Sequence, residues 1–169
     1  MTDLDLAPLR DRVVAETSLD VPAGPPGYRW RTLTRDDAPL LTELGERISS
    51  RDHPAWSESL EEVEEELARS WTNPATDGVL CVDSSGAPVA GGLAIMSPDP
   101  ETLVRVILSG GVDPAHRGRG LGRRLLAWQH GRARQLLASS SLALPAWVMS
   151  YAPDLAPEHG ALLQREGFE

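Results

Sequence analysis

The sequence predicts an α/β domain with its elements in the order βααβββαβα. Three observations carry this. Short apolar or alternating runs, such as Tyr28–Leu33 and Leu103–Leu108, recur along the chain and read as strands. Between them, segments such as the one carrying Leu121, Leu125, Trp128 and Leu136 repeat their apolar residues at helical spacing. Third, the run at 103–108 passes through a glycine-rich loop directly into the longest of these helices. A length of 169 residues, 41% of them hydrophobic, suits one domain with its own core.

Residues 1–27 are expected to form an arm, with Leu6, Leu9, Val13 and Val14 on one side of a short amphipathic helix. Pro22, Gly24, Pro25, Pro26 and Gly27 then break regular structure. Tyr28–Leu33 is the first strand. Thr34 or Asp36 should cap a helix reaching about Ser49, with Leu40, Leu41, Leu44 and Ile48 inward. A loop at 51–57 carries His53 and Trp56. The second helix, about 59–69, buries Leu60, Val63 and Leu67 and sets Glu61, Glu62, Glu64, Glu65 and Glu66 on its other faces. With Glu58, that acidic run is either a solvated face or a rim that attracts a cation.

Val79–Asp83, a Ser84-Ser85-Gly86 turn and Val89–Met96 read as a hairpin. The fourth strand is expected at 102–112, after the Pro98-Asp99-Pro100 turn. The long helix follows at about 120–138, ended by Ser139-Ser140-Ser141. Ala146–Tyr151 is the fifth strand and Pro157–Glu166 the last helix.

Composition excludes several classes. Sixteen basic against 25 acidic residues give a net charge of −9, which argues against nucleic acid or an anionic membrane as partner and mildly favours a cationic ligand. Cys81 is the sole cysteine, so no internal disulfide can form. The first five residues lack the basic end and apolar run of a secretory leader, and no stretch approaches a membrane span. The expected compartment is the cytoplasm.

The loop at Gly110–Leu126 carries the chemistry. A strand, a loop with alternating glycines and the N-terminus of a helix make a cradle for a diphosphate. A Walker loop would need Gly-Lys-Ser/Thr, and the chain has no lysine. A dinucleotide fingerprint would need Gly-x-Gly-x-x-Gly early in a βαβ unit. Here the pattern is Arg117-x-x-Gly120-x-Gly122, preceded by Val112-x-Pro114 and followed by Leu125-Leu126. It resembles motif A of the GCN5-related N-acetyltransferases (GNAT), whose loop holds the diphosphate of acetyl-CoA, and the element order is that of the same family; the resemblance implies a mixed central β-sheet flanked by helices.

The resemblance implies acetyl-CoA as co-substrate, no metal, and a primary amine of a small molecule as acceptor. It assigns the coenzyme to Gly111, Val112, Arg117, Gly118, Arg119, Gly120, Leu121, Gly122 and Arg123. The amides from 117 to 123 would hold the diphosphate, with Arg117, Arg119 or Arg123 adding charge. Arg124, Arg132 and Arg134 are expected on a solvated helix face. A β-bulge at Gly110-Gly111 would splay the fourth strand from the fifth and turn an amide near Val112 to the thioester carbonyl.

The acid–base groups depart from the family. No acidic residue precedes Val112 in the fourth strand. The tyrosine four residues before the family's Gly-Phe pair is replaced by Leu163, and its asparagine by Ala156. Tyr151 is the candidate acid. His53, Glu58 and Glu101 are candidate bases from the acceptor side, while His116 is expected beside the phosphates in solvent. Trp56, Trp71 and Trp147 either line an acceptor pocket or belong to the core.

The sequence stops at Gly167-Phe168-Glu169, where the family usually adds a sixth and a seventh strand. Residues 28–169 are therefore expected to be a GNAT domain lacking its last two strands. They resemble the N-terminal half of an actinobacterial tandem protein, with a homodimer or a second GNAT domain as partner. The expected activity is N-acetyl transfer; the alternative is a degenerate half that only binds the coenzyme or supports its partner.

Overall fold

The computed structural model describes residues 6–169. Residues 1–5, the opening of the expected arm and the stretch read for a leader, lie outside the described residues. Strands β1 (Tyr28–Thr32), β2 (Gly78–Asp83), β3 (Pro88–Met96), β4 (Val104–Val112) and β5 (Ala146–Ser150) form one sheet in the order β1-β2-β3-β4-β5. The first four run antiparallel, and β5 lies parallel to β4. A parallel neighbour requires a long crossover, supplied by helix α5 (Leu121–Ala138).

The remaining helices are α1 (Leu9–Arg12), α2 (Ala38–Asp52), α3 (Leu60–Ala68), α4 (Pro74–Asp77) and α6 (Pro157–Arg165). With the single turns α1 and α4 set aside, the order is the βααβββαβα expected. Helix α2 opens through a 3-10 turn at Arg35–Asp37, where Thr34 and Asp37 form a capping box. It runs on to Asp52, so the loop expected from 51 begins at His53. Ser59 and Glu62 make a second capping box that starts α3.

Alternation along the strands sorts the core into two layers. Val79, Cys81, Ala90 and Val112 turn to one face and pack with Leu121, Leu125 and Trp128 of α5. Val106 and Leu108 turn the same way and meet Leu126, Ala133 and Leu137, with Leu163 of α6 joining them. Leu80, Val82 and Leu93 turn to the opposite face, against Ala38 of α2 and Val63 and Leu67 of α3.

The arm lies down on α5. Leu9 is fully buried, and its amide donates to the Leu142 carbonyl at 2.9 Å. Of the three arginines expected on a solvated face, Arg124 and Arg134 are exposed as expected and Arg132 is half-buried. Arg124 donates to the Ala23 carbonyl at 2.7 Å and Arg134 to that of Val14 at 2.8 Å. Arg132 pairs at 2.8 Å with the buried carboxylate of Asp77 in α4. Only Arg132 is partly covered, by α4, an element too short for periodicity to detect.

The expected bulge is also corrected. Pairing of β3 with β4 is unbroken from Met96↔Val106 to Ala90↔Val112, so no residue is inserted at Gly110-Gly111. The distortion is instead conformational: Gly110 has φ +107, a region open to glycine and strained for other residues. Pairing of β4 with β5 ends at Leu108↔Ser150, the last residue of β5, so the following residues of β4 have no strand neighbour on that side among the described residues.

Candidate functional site

The loop after β4 is fixed from behind. Asp113 is buried, accepts from Arg47 of α2 at 2.6 Å and caps the 3-10 turn Pro114–His116 through the Ala115 amide at 2.9 Å. Gly118 and Gly120 then take φ +75 and +79. Gly120 is the N-cap of α5, and no side chain caps this helix. The first bond into the helix is from the Arg124 amide to the Gly120 carbonyl, at 3.2 Å. The amides of residues 117–123 donate to no backbone acceptor among the described residues. Unpaired donors at the positive end of an eighteen-residue helix are an anion site by construction.

This loop forms one wall of a cleft of about 760 Å³ that opens where β5 leaves β4. Gly111, Val112, Arg117, Gly118, Gly120, Leu121, Gly122 and Arg123 all line it. Arg119 points away: its guanidinium stacks 5.9 Å from the Tyr28 ring and donates to the Tyr28 hydroxyl, which is itself bonded to His116 Nδ1 at 2.9 Å. His116 is therefore held by Tyr28 rather than free in solvent. The other two arginines have carboxylate partners as well. Arg123 lies 3.2 Å from Glu166, at the exposed end of α6. Arg117 donates to both oxygens of Asp52 at 3.0 and 2.6 Å, to Glu158 at 2.8 Å and to the Val112 carbonyl at 3.2 Å. Its fork joins the end of α2, the loop and the start of α6.

The opposite wall belongs to the loop between α2 and α3. Trp56 is 59% exposed, and His53 tilts against it with ring centroids 5.5 Å apart. Both line the cleft, as does Glu58. Glu58 is an exposed residue, but partial loss of water around its carboxyl, reinforced by Glu66 and Glu62, holds it above its ordinary value. Tyr151 stands on the rim just past β5, 70% exposed. Glu101 is exposed and does not line the cleft. Trp71 and Trp147 are exposed and outside it too, so neither alternative for that pair holds; the core tryptophans are Trp30 and Trp128. Leu163 and Ala156 are both buried.

Two lining residues escaped sequence reasoning. His159 of α6 has a buried Nε2 without a partner, and burial lowers its basicity. Gln129 sits polar on the apolar stripe of α5, four residues after Leu125, and that misfit was the available signal. No group of three or more His, Cys, Asp or Glu side chains among the described residues is gathered to hold a metal. Nor is any helix among them long and apolar enough to cross a membrane.

The sequence profile of the acetyltransferase (GNAT) family matches residues 42–144. A comparison with curated proteins gives no match. Among solved structures, a GCN5-related N-acetyltransferase from Sphaerobacter thermophilus is similar at TM-score 0.65 and 22% identity, over 87% of this chain and 45% of that one. The chain thus spans less than half the length of that relative. A GNAT superfamily phosphinothricin acetyltransferase from Sinorhizobium meliloti, solved in complex with AcCoA, is similar at TM-score 0.59 and 22% identity, over 85% and 75%. An aminoglycoside acetyltransferase from an uncultured soil metagenomic sample, in complex with sisomicin, follows at TM-score 0.54 and 14% identity, over 83% and 88%. These likenesses carry the fold.

Proposed function

This chain belongs to the acetyltransferase (GNAT) family, and from that premise we propose that it transfers an acetyl group from acetyl-CoA to a primary amine of a small molecule in the cytoplasm. The single observation that carries the proposal is the unpaired set of amides at 117–123 around Gly118 and Gly120. A diphosphate there would accept from main-chain donors at a helix N-terminus. The structure of a phosphinothricin acetyltransferase of the same fold, solved in complex with AcCoA, supports the choice of coenzyme.

In the reaction, the amine nitrogen attacks the thioester carbonyl carbon and the carbonyl electrons move onto oxygen. Collapse breaks the C–S bond, the thiolate leaves, and the amine gives up a proton. The cleft offers main-chain donors of β4 for the oxygen. Glu58 is suited to accept the amine's proton, because its raised pKa brings a carboxylate closer to the working pH. Tyr151 on the rim is the proposed donor to the thiolate. Trp56 beside Glu58 favours a cation that carries apolar surface, and the acidic face of α3 raises its local concentration.

Thermal shift with coenzyme A tests the cradle. A ligand that binds only the folded chain raises its melting temperature, and Gly120→Val should abolish the rise. That substitution puts a branched side chain at φ +79, in the region that costs L-residues about 1–2 kcal/mol. An unaltered shift in the variant would refute the cradle.

A second reading is favoured by Leu163. The position where the family's tyrosine would stand is an alkyl group in the core, so this domain would hold the coenzyme without turning it over. Thiol release with a panel of amines separates the two readings: release supports transfer, and tight binding without release supports the second. In that case the open outer edge of β5 would pair with a second copy or a second GNAT domain, with residues 28–169 as one unit. Sedimentation over a range of concentrations reads such pairing directly.

A further inference from the structure

Gln129 is polar in an apolar place. It lies on the inward face of α5 and is 4% exposed. Its side-chain amide donates to the Leu93 carbonyl of β3 at 2.9 Å and to the Ser109 carbonyl of β4 at 2.7 Å. Leu93 and Ser109 face each other across the two strands, so one carboxamide bridges a single rung of the sheet. A buried amide is stable there only because both of its protons are matched.

The bridge stands where β4 is distorted. Gly110, the next residue, has φ +107, and a Cβ on it would fall 2.1 Å from the Gly91 carbonyl oxygen. A Cβ on Gly92 would fall 2.1 Å from the Ser109 carbonyl oxygen and 2.7 Å from the Gln129 nitrogen. The Ser109 carbonyl is thus drawn out of the ladder towards α5, and the Ser109–Gly110 peptide turns with it. The four facing glycines, Gly91, Gly92, Gly110 and Gly111, leave room for this pinch.

The turned peptide lies at the mouth of the cleft. On the β3 side, the Asp113 amide bonds the Val89 carbonyl at 2.8 Å. Antiparallel alternation then directs Gly111 to β3 and Val112 to the other edge, while the Gly110 amide, in one trans peptide with the Ser109 carbonyl, points opposite to it, away from α5. That edge has no strand partner, since β5 pairs only as far as Leu108↔Ser150.

We infer that Gln129 is a positioning residue for acyl transfer: by holding the Ser109 carbonyl it fixes the turned Gly110 amide beside the edge amide of Val112, so that the two receive the acyl oxygen. Negative charge grows on that oxygen as the amine attacks, so donor placement acts on the transition state more than on coenzyme binding. The inference rests on the acetyl-transfer reading above.

The test uses Gln129→Met, which keeps the length and removes both donors. Misplacing an oxyanion donor costs roughly a hundredfold in kcat, so kcat should fall at least tenfold. Affinity for free coenzyme A, which has no acyl oxygen, should stay within about twofold. Any preference for acetyl-CoA over coenzyme A should disappear. Hydrogen exchange on the wild-type chain gives a second measurement that needs no variant: acetyl-CoA should slow exchange at 109–112 more than coenzyme A does. An unchanged kcat, an equal loss of both affinities, or a protection difference confined outside 109–112 overturns the inference. A wild-type chain that binds neither form overturns the reading beneath it, and the inference with it.

Discussion

The guanidinium of Arg117 donates to both carboxylate oxygens of Asp52, at 3.0 and 2.6 Å. Sixty-five positions separate the two residues, and the pair ties the end of α2 to the candidate anion loop. Arg117 therefore shapes the cradle with a charge that is already matched. Its pKa is held above the ordinary value, first by the hydrogen bond to Asp52.

Breaking this pair from one side should be costly. Asp52→Ala leaves Arg117 with Glu158 and the Val112 carbonyl in a mostly buried setting. Loss of one partner of a buried pair costs about 3–5 kcal/mol when the remaining charge is uncompensated, so Glu158 holds the loss to the low end. Urea unfolding of Asp52→Ala should report a loss near the lower figure. Adding Arg117→Met should cost less than the sum of the two single changes, because the orphaned charge is removed as well. Strict additivity would contradict the tie.

Asp37 gives a stability term with a definite pH direction. Arg31 donates to it at 2.7 and 2.6 Å and the Thr34 amide at 2.8 Å. These bonds, Arg31 first, hold its carboxyl below the ordinary value against the opposing effect of burial. The folded value lies below the unfolded one, so the stabilisation is fully present above the unfolded value of about 3.9 and is lost as pH falls through the folded value. Asp37→Asn should cost about 2–3 kcal/mol at pH 7. In urea titrations the gap from wild type should close on acidification towards pH 2. A constant gap at both pH values would contradict the assignment.

His159 acts at higher pH. Burial lowers its pKa, with Arg117 adding to the effect while Asp52 and Glu158 oppose it. The folded value lies below the ordinary 6.5, so the neutral ring contributes stability above 6.5 that is lost as pH falls through the folded value. The melting temperature of the wild type should decline between pH 7 and 5, and His159→Gln should flatten that decline. Parallel curves for the two proteins would assign the decline elsewhere.

Cys81 should be inert. It is fully buried on β2, and burial pushes its thiol up to about 11. At pH 8 about one thiol in a thousand would be ionised. The native chain should therefore show no reaction with a disulfide reagent on the timescale of a coenzyme-thiol assay. One equivalent should appear only on denaturation.

The sheet was readable because its strands alternate and its glycines punctuate them. The loop was readable because Arg117-x-x-Gly120-x-Gly122 is a local pattern. What escaped depends on contacts distant in sequence. Arg132 looked solvated until α4 brought Asp77 to it across 55 positions. Leu9 reads as apolar from its spacing with Val13, but its packing with α5 and its amide bond to Leu142 join residues far apart in the chain. The distortion of β4 was read from its glycines as an inserted residue. It is a left-handed Gly110 instead, sustained by a glutamine on another element.

The central claim is that the amides of 117–123 take a diphosphate. Amide-resolved NMR during titration with coenzyme A tests it most directly, with pantetheine, which has no diphosphate, as the control. The account predicts large shifts at residues 117–123 with coenzyme A and none there with pantetheine. Saturable binding that leaves those amides unmoved, or that pantetheine reproduces at the same residues, would contradict it.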